Sequence, residues 1–197
     1  MSKPHIVGIG AVARCGKNSL ANFLQESLES HGFLVAQYPL ATPLKEELDS
    51  ALLANFNISA FTEKDSEKNL IRDILVSWGQ VHRKQTCGTH FTQLADEYIA
   101  FLGDVDFVLI PDVRFSQFPT DEIQWLKNRG GMFIYLDRTT NGIKVMPTNE
   151  DEAKNSIKLD KMADLHVTWE TFGTNVSAGK EIAAAKLSKV LDFFKLN

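Results

Sequence analysis

An apolar strand, a loop with two glycines and an amphipathic helix follow one another directly within the first thirty residues. A strand is predicted at residues 6–9, and a helix at residues 17–30, where leucine and phenylalanine recur at helical spacing. Between them, residues 10–19 read Gly-Ala-Val-Ala-Arg-Cys-Gly-Lys-Asn-Ser. This stretch is close to the phosphate-loop pattern G-x-x-x-x-G-K-[ST], which carries meaning only between a strand and a helix. The order of elements meets that condition.

A loop of this kind binds phosphate for definite physical reasons. Its consecutive backbone N–H groups form a concave nest for an anion, the helix N-terminus adds partial positive charge, and the lysine reaches the terminal phosphates. We therefore predict that Lys17 is a catalytic residue. The predicted ATP-binding segment consists of Ala13, Arg14, Cys15, Gly16, Lys17, Asn18 and Ser19.

Two positions depart from the pattern. The first glycine of the pattern should lie five residues before Gly16, but that position is Ala11, and the glycine is one residue earlier at Gly10. The hydroxyl residue expected after the lysine is Asn18, and Ser19 follows it. Either the loop is one residue longer than usual, or Ala11 fills the first-glycine position.

A second candidate site follows the apolar run Val-Asp-Phe-Val-Leu-Ile at residues 105–110. A run without strict alternation is typical of a parallel strand that is covered on both faces. It ends at Asp112, where a carboxylate could hold Mg²⁺ beside the phosphate loop. We predict that Asp112 and Ser19 form the magnesium site and that Asp112 and Arg114 are catalytic. Arg114 is placed either for phosphate or for structural pairing. The plain alternative for Asp112 is an aspartate in a turn that ends a strand.

Strand and helix patterns alternate along the rest of the chain, which predicts an α/β protein. The predicted fold is that of a P-loop NTPase, with three α/β/α layers and a mainly parallel five-stranded sheet. All 197 residues are assigned to one domain, with a helical acceptor-binding region at about 43–102 and a polar lid with some helix at about 139–160. The further predicted strands are 33–38, 105–110, 132–137 and 165–169, and the further helices begin near 43, 65, 120 and 178, with a break near residues 87–88.

Composition limits the classes of partner. The chain has 21 Lys+Arg against 25 Asp+Glu, a net charge of −4, whereas surfaces that follow nucleic-acid phosphates are usually strongly basic. Two cysteines do not form a disulfide framework, and no apolar run reaches the roughly 18 residues of a membrane span. We expect a cytoplasmic protein, monomeric or homodimeric, that does not interact with membranes.

Several segments together resemble the bacteriophage deoxynucleoside monophosphate kinases. Residues 12–19 resemble that family's phosphate loop, and residues 41–45 (Ala-Thr-Pro-Leu-Lys) resemble its Ala-Asp-Pro-Leu-Lys segment. Further on, residues 112–115 (Asp-Val-Arg-Phe) are followed by Gly130-Gly131, Arg138 and Ala163-Asp164 in the family's order. The resemblance covers nearly the whole chain and implies a kinase that uses ATP and Mg²⁺ to phosphorylate a deoxynucleoside 5′-monophosphate.

The resemblance also implies roles for basic residues. Arg138, at the start of the polar segment, would be a catalytic lid arginine, since a planar guanidinium can grip phosphate with two hydrogen bonds. The predicted acceptor-binding residues are Lys45, Arg72, Trp78 and Arg83. Arg72 could instead be a solvated residue of a polar helix, and Trp78 could belong to the core.

Substrate identity stays open because the chain departs from the family where the acceptor would be read. Asn18 and Thr42 replace aspartates, and an Asn-Glu pair after residue 115 is absent. One alternative is a phage kinase that phosphorylates 5-hydroxymethyluracil within DNA, which needs an extruded or single-stranded base. Another is a nucleotide-binding module without activity. His82 and His90 lie near the acceptor region, but no Cys/His spacing predicts a metal set there.

Overall fold

One six-stranded sheet with seven helices forms the protein in this computed structural model, which describes residues 3–147, 150–171, 173 and 176–196. The strands are β1 His5–Ala11, β2 Val35–Gln37, β3 Phe107–Ile110, β4 Met132–Thr140, β5 Ile143–Lys144 and β6 Leu165–Glu170. The helices are α1 Lys17–Ser30, α2 Ala41–Phe56, α3 Asp65–Gln85, α4 His90–Phe101, α5 Glu122–Asn128, α6 Glu150–Met162 and α7 Val176–Phe193.

Five of the strands are parallel, in the order β2-β3-β1-β4-β6. In the centre of the sheet, His5 of β1 is in register with Phe107 of β3, and Val7 is in register with Met132 of β4. This arrangement confirms the predicted α/β class and the mainly parallel sheet. The sheet nevertheless has a sixth strand, β5, which runs antiparallel to the end of β4. At two exposed residues, β5 is too short to give a sequence pattern.

Helices cover both faces of the sheet and make the predicted three layers. One core lies under α1 and α7, and a second lies under α4, α5 and α6. In β3, Phe107 and Leu109 belong to the first core, whereas Val108 and Ile110 belong to the second. All four side chains are therefore buried, which explains why the strand reads as a continuous apolar run.

The helices α2, α3 and α4 are inserted between β2 and β3, and they form the predicted helical region. The insertion has a small core of its own, made of Leu48, Leu52, Ala60 and Ile71. The predicted break near residues 87–88 separates α3 from α4, and both Cys87 and Gly88 have positive φ there. Such a backbone conformation ends a helix, because it turns the chain away from the helical path.

The segment at 139–160, predicted as a lid, is partly strand and partly helix. It contains the end of β4, the short strand β5 and most of α6. Leu159 of α6 is buried against the sheet, so this helix belongs to the covering layer. Residues 148–149, which also fall within the predicted lid, lie outside the described residues. In the described part of the chain, no helix has both the length and the apolar character needed to cross a membrane.

Gly10 lies within β1, where a side chain would collide with the core. An added Cβ would lie 2.5 Å from Cζ of Phe133 and 3.1 Å from the carbonyl oxygen of Val113. We expect Gly10→Ala to lower the free energy of unfolding by about 1–3 kcal/mol, since overpacking forces the buried ring to move. Urea denaturation measures this loss. Gly103→Ala is the control because a Cβ there meets no atom within 4 Å, and equal stability of the two variants would contradict the packing argument.

Candidate functional site

The phosphate loop (residues 12–16) connects the end of β1 to the first residue of α1. Ala11 is the last residue of β1 and does not have a positive φ, so an alanine fits at the first-glycine position of the pattern. Gly10 is required by packing against Phe133 instead. Gly16 has a φ of 92°, and a Cβ there would lie 2.8 Å from Cζ2 of Trp169. The loop therefore has the usual length, and only its second glycine is needed for backbone reasons.

Trp169, near the end of β6, supports the phosphate loop from below. Its side chain is 3 % exposed, and its indole N–H donates a hydrogen bond to the carbonyl oxygen of Cys15 at 3.0 Å. The Cys15 thiol is buried, and burial raises its pKa. No sequence pattern indicates this role of Trp169. The tryptophan lies on the inner face of an alternating strand, a pattern that predicts burial but not a partner.

A carboxylate contacts the phosphate loop. The backbone N–H of Ala13 donates a hydrogen bond of 2.6 Å to Oε1 of Glu152, which lies in the first turn of α6. Backbone amides of such loops are suited to anions, because several N–H dipoles point into one concavity. The contact shows that the N–H of Ala13 points out of the loop and donates to a negatively charged group there. Sequence reasoning had no signal for Glu152.

Lys17 opens α1, and its ammonium folds back onto the loop. Its Nζ donates to the carbonyl oxygens of Ala11 at 3.2 Å and Val12 at 3.3 Å. Burial, together with the Arg114 guanidinium, lowers the pKa of Lys17 to about 8. The nearby carboxylates of Asp112 and Glu152 act in the opposite direction on the same pKa. The positive charge of Arg114, one of the predicted catalytic residues, therefore lies close enough to Lys17 to affect its pKa.

Asp112 follows β3, and the structure gives it a definite task. Its Oδ1 accepts the backbone N–H of Leu40 at 2.7 Å, and its Oδ2 accepts that of Ala41 at 2.9 Å. These are the amides at the N-terminus of α2, where a negative charge also interacts favourably with the helix dipole. With a side chain only 7 % exposed, Asp112 joins the sheet to the helical insertion.

Arg138 lies on β4 beside the phosphate loop. Its guanidinium donates to the carbonyl oxygen of Arg14 at 2.6 Å and to the hydroxyl of Thr171 at 2.7 Å. Arg14 itself is exposed and has a φ of 64°. Asn18 is exposed, whereas Ser19 is partly buried in the first turn of α1. The loop, Lys17, Arg114 and Arg138 thus lie at one end of the parallel strands.

The four predicted acceptor residues have separate partners. Lys45 lies over the ring of Phe61, with its Nζ 5.4 Å from the ring centroid. Arg72 is exposed on α3. Trp78 is 44 % exposed, so the alternative that it belongs to the core is wrong, and its indole N–H donates to Glu47 at 2.8 Å. No contact that the structure describes joins these side chains into one site.

The prediction that Arg83 binds the acceptor is wrong. It is 3 % exposed, and its guanidinium pairs with Asp121 at 2.8 Å and with Glu122 at 3.4 Å. Burial raises the pKa of Glu122 although the Arg83 guanidinium acts against this shift. The guanidinium also lies 3.4 Å from the ring centroid of Phe115. A phosphate could reach Arg83 only by breaking this buried cluster, so Arg83 is a structural residue.

The same cluster shapes the chain that follows β3. Glu122 accepts the backbone N–H groups of Arg114 at 2.6 Å and of Phe115 at 3.1 Å. Asp121 accepts those of Gln117 at 2.7 Å and of Phe118 at 3.1 Å. Arg83 supplies the positive charge that two buried carboxylates need. The backbone that carries Arg114 is therefore held by Glu122 of α5, and the residues after it are held by Asp121, which immediately precedes that helix.

A cluster absent from the sequence predictions lies in the helical insertion. Glu47, His82 and His90, from three different helices, bring one potential metal-binding atom each to within 4.8 Å of one another. The sequence analysis predicted no metal set around these histidines because the three residues have no recognisable spacing. Only the packing of the helices brings them together.

Comparisons with known proteins give distant structural likenesses. No family model matches the chain, and no curated protein matches it. The chain is similar to a gluconokinase from Sinorhizobium meliloti, with 10% identity, a TM-score of 0.43, and coverage of 99% of this chain and 98% of that one. A dephospho-CoA kinase from Campylobacter jejuni has 11% identity, a TM-score of 0.37 and coverage of 96% and 98%.

A sugar kinase from a Janibacter species is also similar, with 10% identity, a TM-score of 0.36, and coverage of 98% of this chain and 95% of that one. Likeness at this level is confined to the general course of the chain.

Breaking the buried cluster should destabilise the protein strongly. We expect Arg83→Met to lower the free energy of unfolding by about 3–5 kcal/mol, since it leaves two buried carboxylates without their cation. Arg72→Met, a change of the same kind at an exposed position of α3, should have little effect. Thermal and urea unfolding measure both. Similar stabilities would mean that Arg83 does not neutralise Asp121 and Glu122.

Proposed function

We propose that this protein is a magnesium-dependent kinase that transfers the γ-phosphate of ATP to a deoxynucleoside 5′-monophosphate. The observation that carries the proposal is the carboxylate of Glu152 on the backbone N–H of Ala13, at 2.6 Å, close to the Lys17 ammonium. An anion at this point of a strand–loop–helix unit occupies a position suited to a phosphate oxygen. The residue pattern and the local geometry therefore agree on a polyphosphate site.

The phosphate loop and Lys17 would hold the β- and γ-phosphates of ATP. Phosphoryl transfer asks a protein chiefly for positioning and for stabilisation of charge, with little covalent chemistry. In the structure, Lys17 donates to the carbonyl oxygens of Ala11, at the end of β1, and of Val12 in the loop, and both are weaker partners than an anion. On nucleotide binding, we expect the ammonium to move to phosphate oxygens while the Ala13 amide exchanges its carboxylate for one of them.

Asp112 and Ser19 are suited to Mg²⁺ by their chemistry, since this ion prefers oxygen ligands and usually keeps several waters. Each carboxylate oxygen of Asp112 accepts one backbone N–H and keeps a second lone pair for a metal-bound water. When bound, the ion would neutralise charge between the β- and γ-phosphates. Through that water, Asp112 would connect the metal to the first turn of α2.

Arg138 and Arg114 would stabilise the charge of the group in transfer. Arg138 is fixed beside the loop by Arg14 and Thr171, whereas Arg114 is exposed and close enough to Lys17 to lower its pKa. Guanidinium groups on two sides of a transferred phosphoryl group act as the charge clamp that such reactions need. Arg114 also has a backbone held by Glu122, which limits its position.

The acceptor would lie between the sheet edge and the helical insertion. Residues 41–45, whose sequence resembles the deoxynucleoside monophosphate kinase segment, form the first turn of α2 directly beside Asp112. Lys45, Arg72 and Trp78 stay candidates for acceptor binding, and Arg83 does not. The class of acceptor rests on this resemblance, whereas the phosphate site rests on the geometry of the loop.

An acceptor panel tests the proposal. ADP release is measured with ATP, Mg²⁺ and each deoxynucleoside 5′-monophosphate, beside DNA that contains 5-hydroxymethyluracil. We expect turnover with at least one monophosphate, and a loss of at least about a hundredfold in Lys17→Met, because a charge that stabilises the transition state is removed. Lys189→Met, at an exposed position of α7, should keep full activity.

Each other outcome of the panel decides against the proposal. Turnover with DNA alone would favour the base-modifying kinase, and ATP binding without turnover on any acceptor would favour a non-catalytic module. Full activity of Lys17→Met would show that the phosphate loop does not carry the reaction.

Glu152 should compete with ATP for the phosphate loop. Because its carboxylate occupies the Ala13 amide, we expect Glu152→Ala to tighten the binding of ATP, by up to about tenfold, as measured by titration calorimetry without acceptor. Glu150→Ala removes an exposed carboxylate from the same helix and should leave affinity unchanged. Weaker ATP binding in Glu152→Ala would instead mean that Glu152 helps to hold the nucleotide or its metal.

A further inference from the structure

Three helices of the insertion converge on one polar cluster, composed of Glu47 of α2, His82 of α3 and His90 of α4. Nε2 of His82 lies 3.0 Å from Oε2 of Glu47, and Nε2 of His90 lies 3.6 Å from Oε1 of the same carboxylate. The two imidazole rings are stacked, with centroids 4.1 Å apart and an angle of 15° between their planes. Both rings therefore direct a nitrogen towards one carboxylate.

The cluster is incomplete as a set of hydrogen bonds. Nε2 of His90 is buried from solvent and has no hydrogen-bond partner among the described residues. The nearest carboxylate oxygen, on Glu47, is beyond hydrogen-bond distance at 3.6 Å. A buried polar atom without a partner costs free energy, and it needs an explanation such as an ion.

We propose that Glu47, His82 and His90 bind a zinc ion. Zn²⁺ takes histidine nitrogen and carboxylate oxygen at about 2.0–2.2 Å, so the ligand atoms of a tetrahedral site lie about 3.3 Å apart. The imidazole nitrogens lie near this distance from Glu47, at 3.0 Å from its Oε2 for His82 and 3.6 Å from its Oε1 for His90, and one ligand atom from each residue lies within 4.8 Å of the others. The lone pair of each Nε2 lies in the plane of its ring, so the two stacked imidazoles must rotate about their side-chain bonds to point at one ion, which gives His90 its missing partner.

The ligand set distinguishes zinc from the magnesium of the phosphate site. Imidazole nitrogen suits zinc and other first-row transition metals, whereas magnesium prefers oxygen. One carboxylate and two imidazoles fill three tetrahedral positions, and the fourth stays open to water or to an anionic group.

The surroundings of Glu47 fit this task. Trp78 donates its indole N–H to Oε2 of Glu47 at 2.8 Å, and such outer hydrogen bonds orient metal-binding carboxylates.

A zinc ion bound by these three residues would stabilise the packing of the helices α2, α3 and α4. The apolar core between α2 and α3 is small, and the bound ion would connect both of these helices to α4. The site contains none of the phosphate-loop residues, so it can be tested without nucleotide, and its failure would leave the kinase proposal untouched.

The test uses the full chain, stripped of metal by a chelator and then titrated with ZnCl₂ or with MgCl₂. We expect a single zinc ion to bind per chain and to raise the midpoint of thermal unfolding by about 5 °C or more at saturation, with no comparable effect of magnesium. Co²⁺ in place of zinc should give the visible absorption of a tetrahedral site. Absence of both signals in the unmutated chain overturns the proposal.

Two variants locate the ion, and one serves as a control. His90→Ala and Glu47→Gln should each weaken zinc binding by at least about tenfold, and the glutamine retains an acceptor for Trp78, so this variant should stay folded. His166→Ala removes a histidine that pairs with one carboxylate, Asp160, at 2.8 Å, and it should bind zinc normally. Unchanged binding in Glu47→Gln, or loss of binding in His166→Ala, would place the ion elsewhere and refute the assignment.

Discussion

The contact between Asp112 and the first amides of α2 is the interaction on which the rest of the site depends. Asp112 follows β3, the strand beside β1, and it holds the backbone N–H groups of Leu40 and Ala41. One carboxylate thereby fixes the sheet edge that carries the phosphate loop relative to the helices that carry the candidate acceptor residues. The Arg83 cluster makes a second connection, from α3 to the chain after β3. The phosphate loop and the helical insertion, which form the two halves of the proposed kinase site, are thus connected through hydrogen bonds and ion pairs of charged side chains.

The elements predicted correctly are those whose cause is local in the sequence. The strand–loop–helix unit at the start of the chain, the buried run of β3 and the break at residues 87–88 each follow from residues that are neighbours in the chain. Ala11 also shows how a departure from a motif can be harmless, since its position falls on ordinary strand backbone.

The residues whose roles were predicted wrongly or not predicted at all have one thing in common: tertiary contacts determine those roles. Arg83 lies in a basic, aromatic stretch that favours a binding surface, yet Asp121 and Glu122, nearly forty residues away, bury it. Glu152, Trp169 and the cluster of Glu47, His82 and His90 acquire their roles only when distant segments meet. No spacing rule within one segment could have indicated them.

The support of the phosphate loop by Trp169 has a consequence for the order in which the protein matures. Cys15 and Trp169 are 154 residues apart, so the ribosome makes the loop early and its support late. Until β6 has been synthesised, the segment Gly16-Lys17 lacks the Trp169 side chain that lies against the loop in the folded protein. The proposed ATP site is therefore complete only at a late stage of synthesis, when the sixth strand joins the sheet.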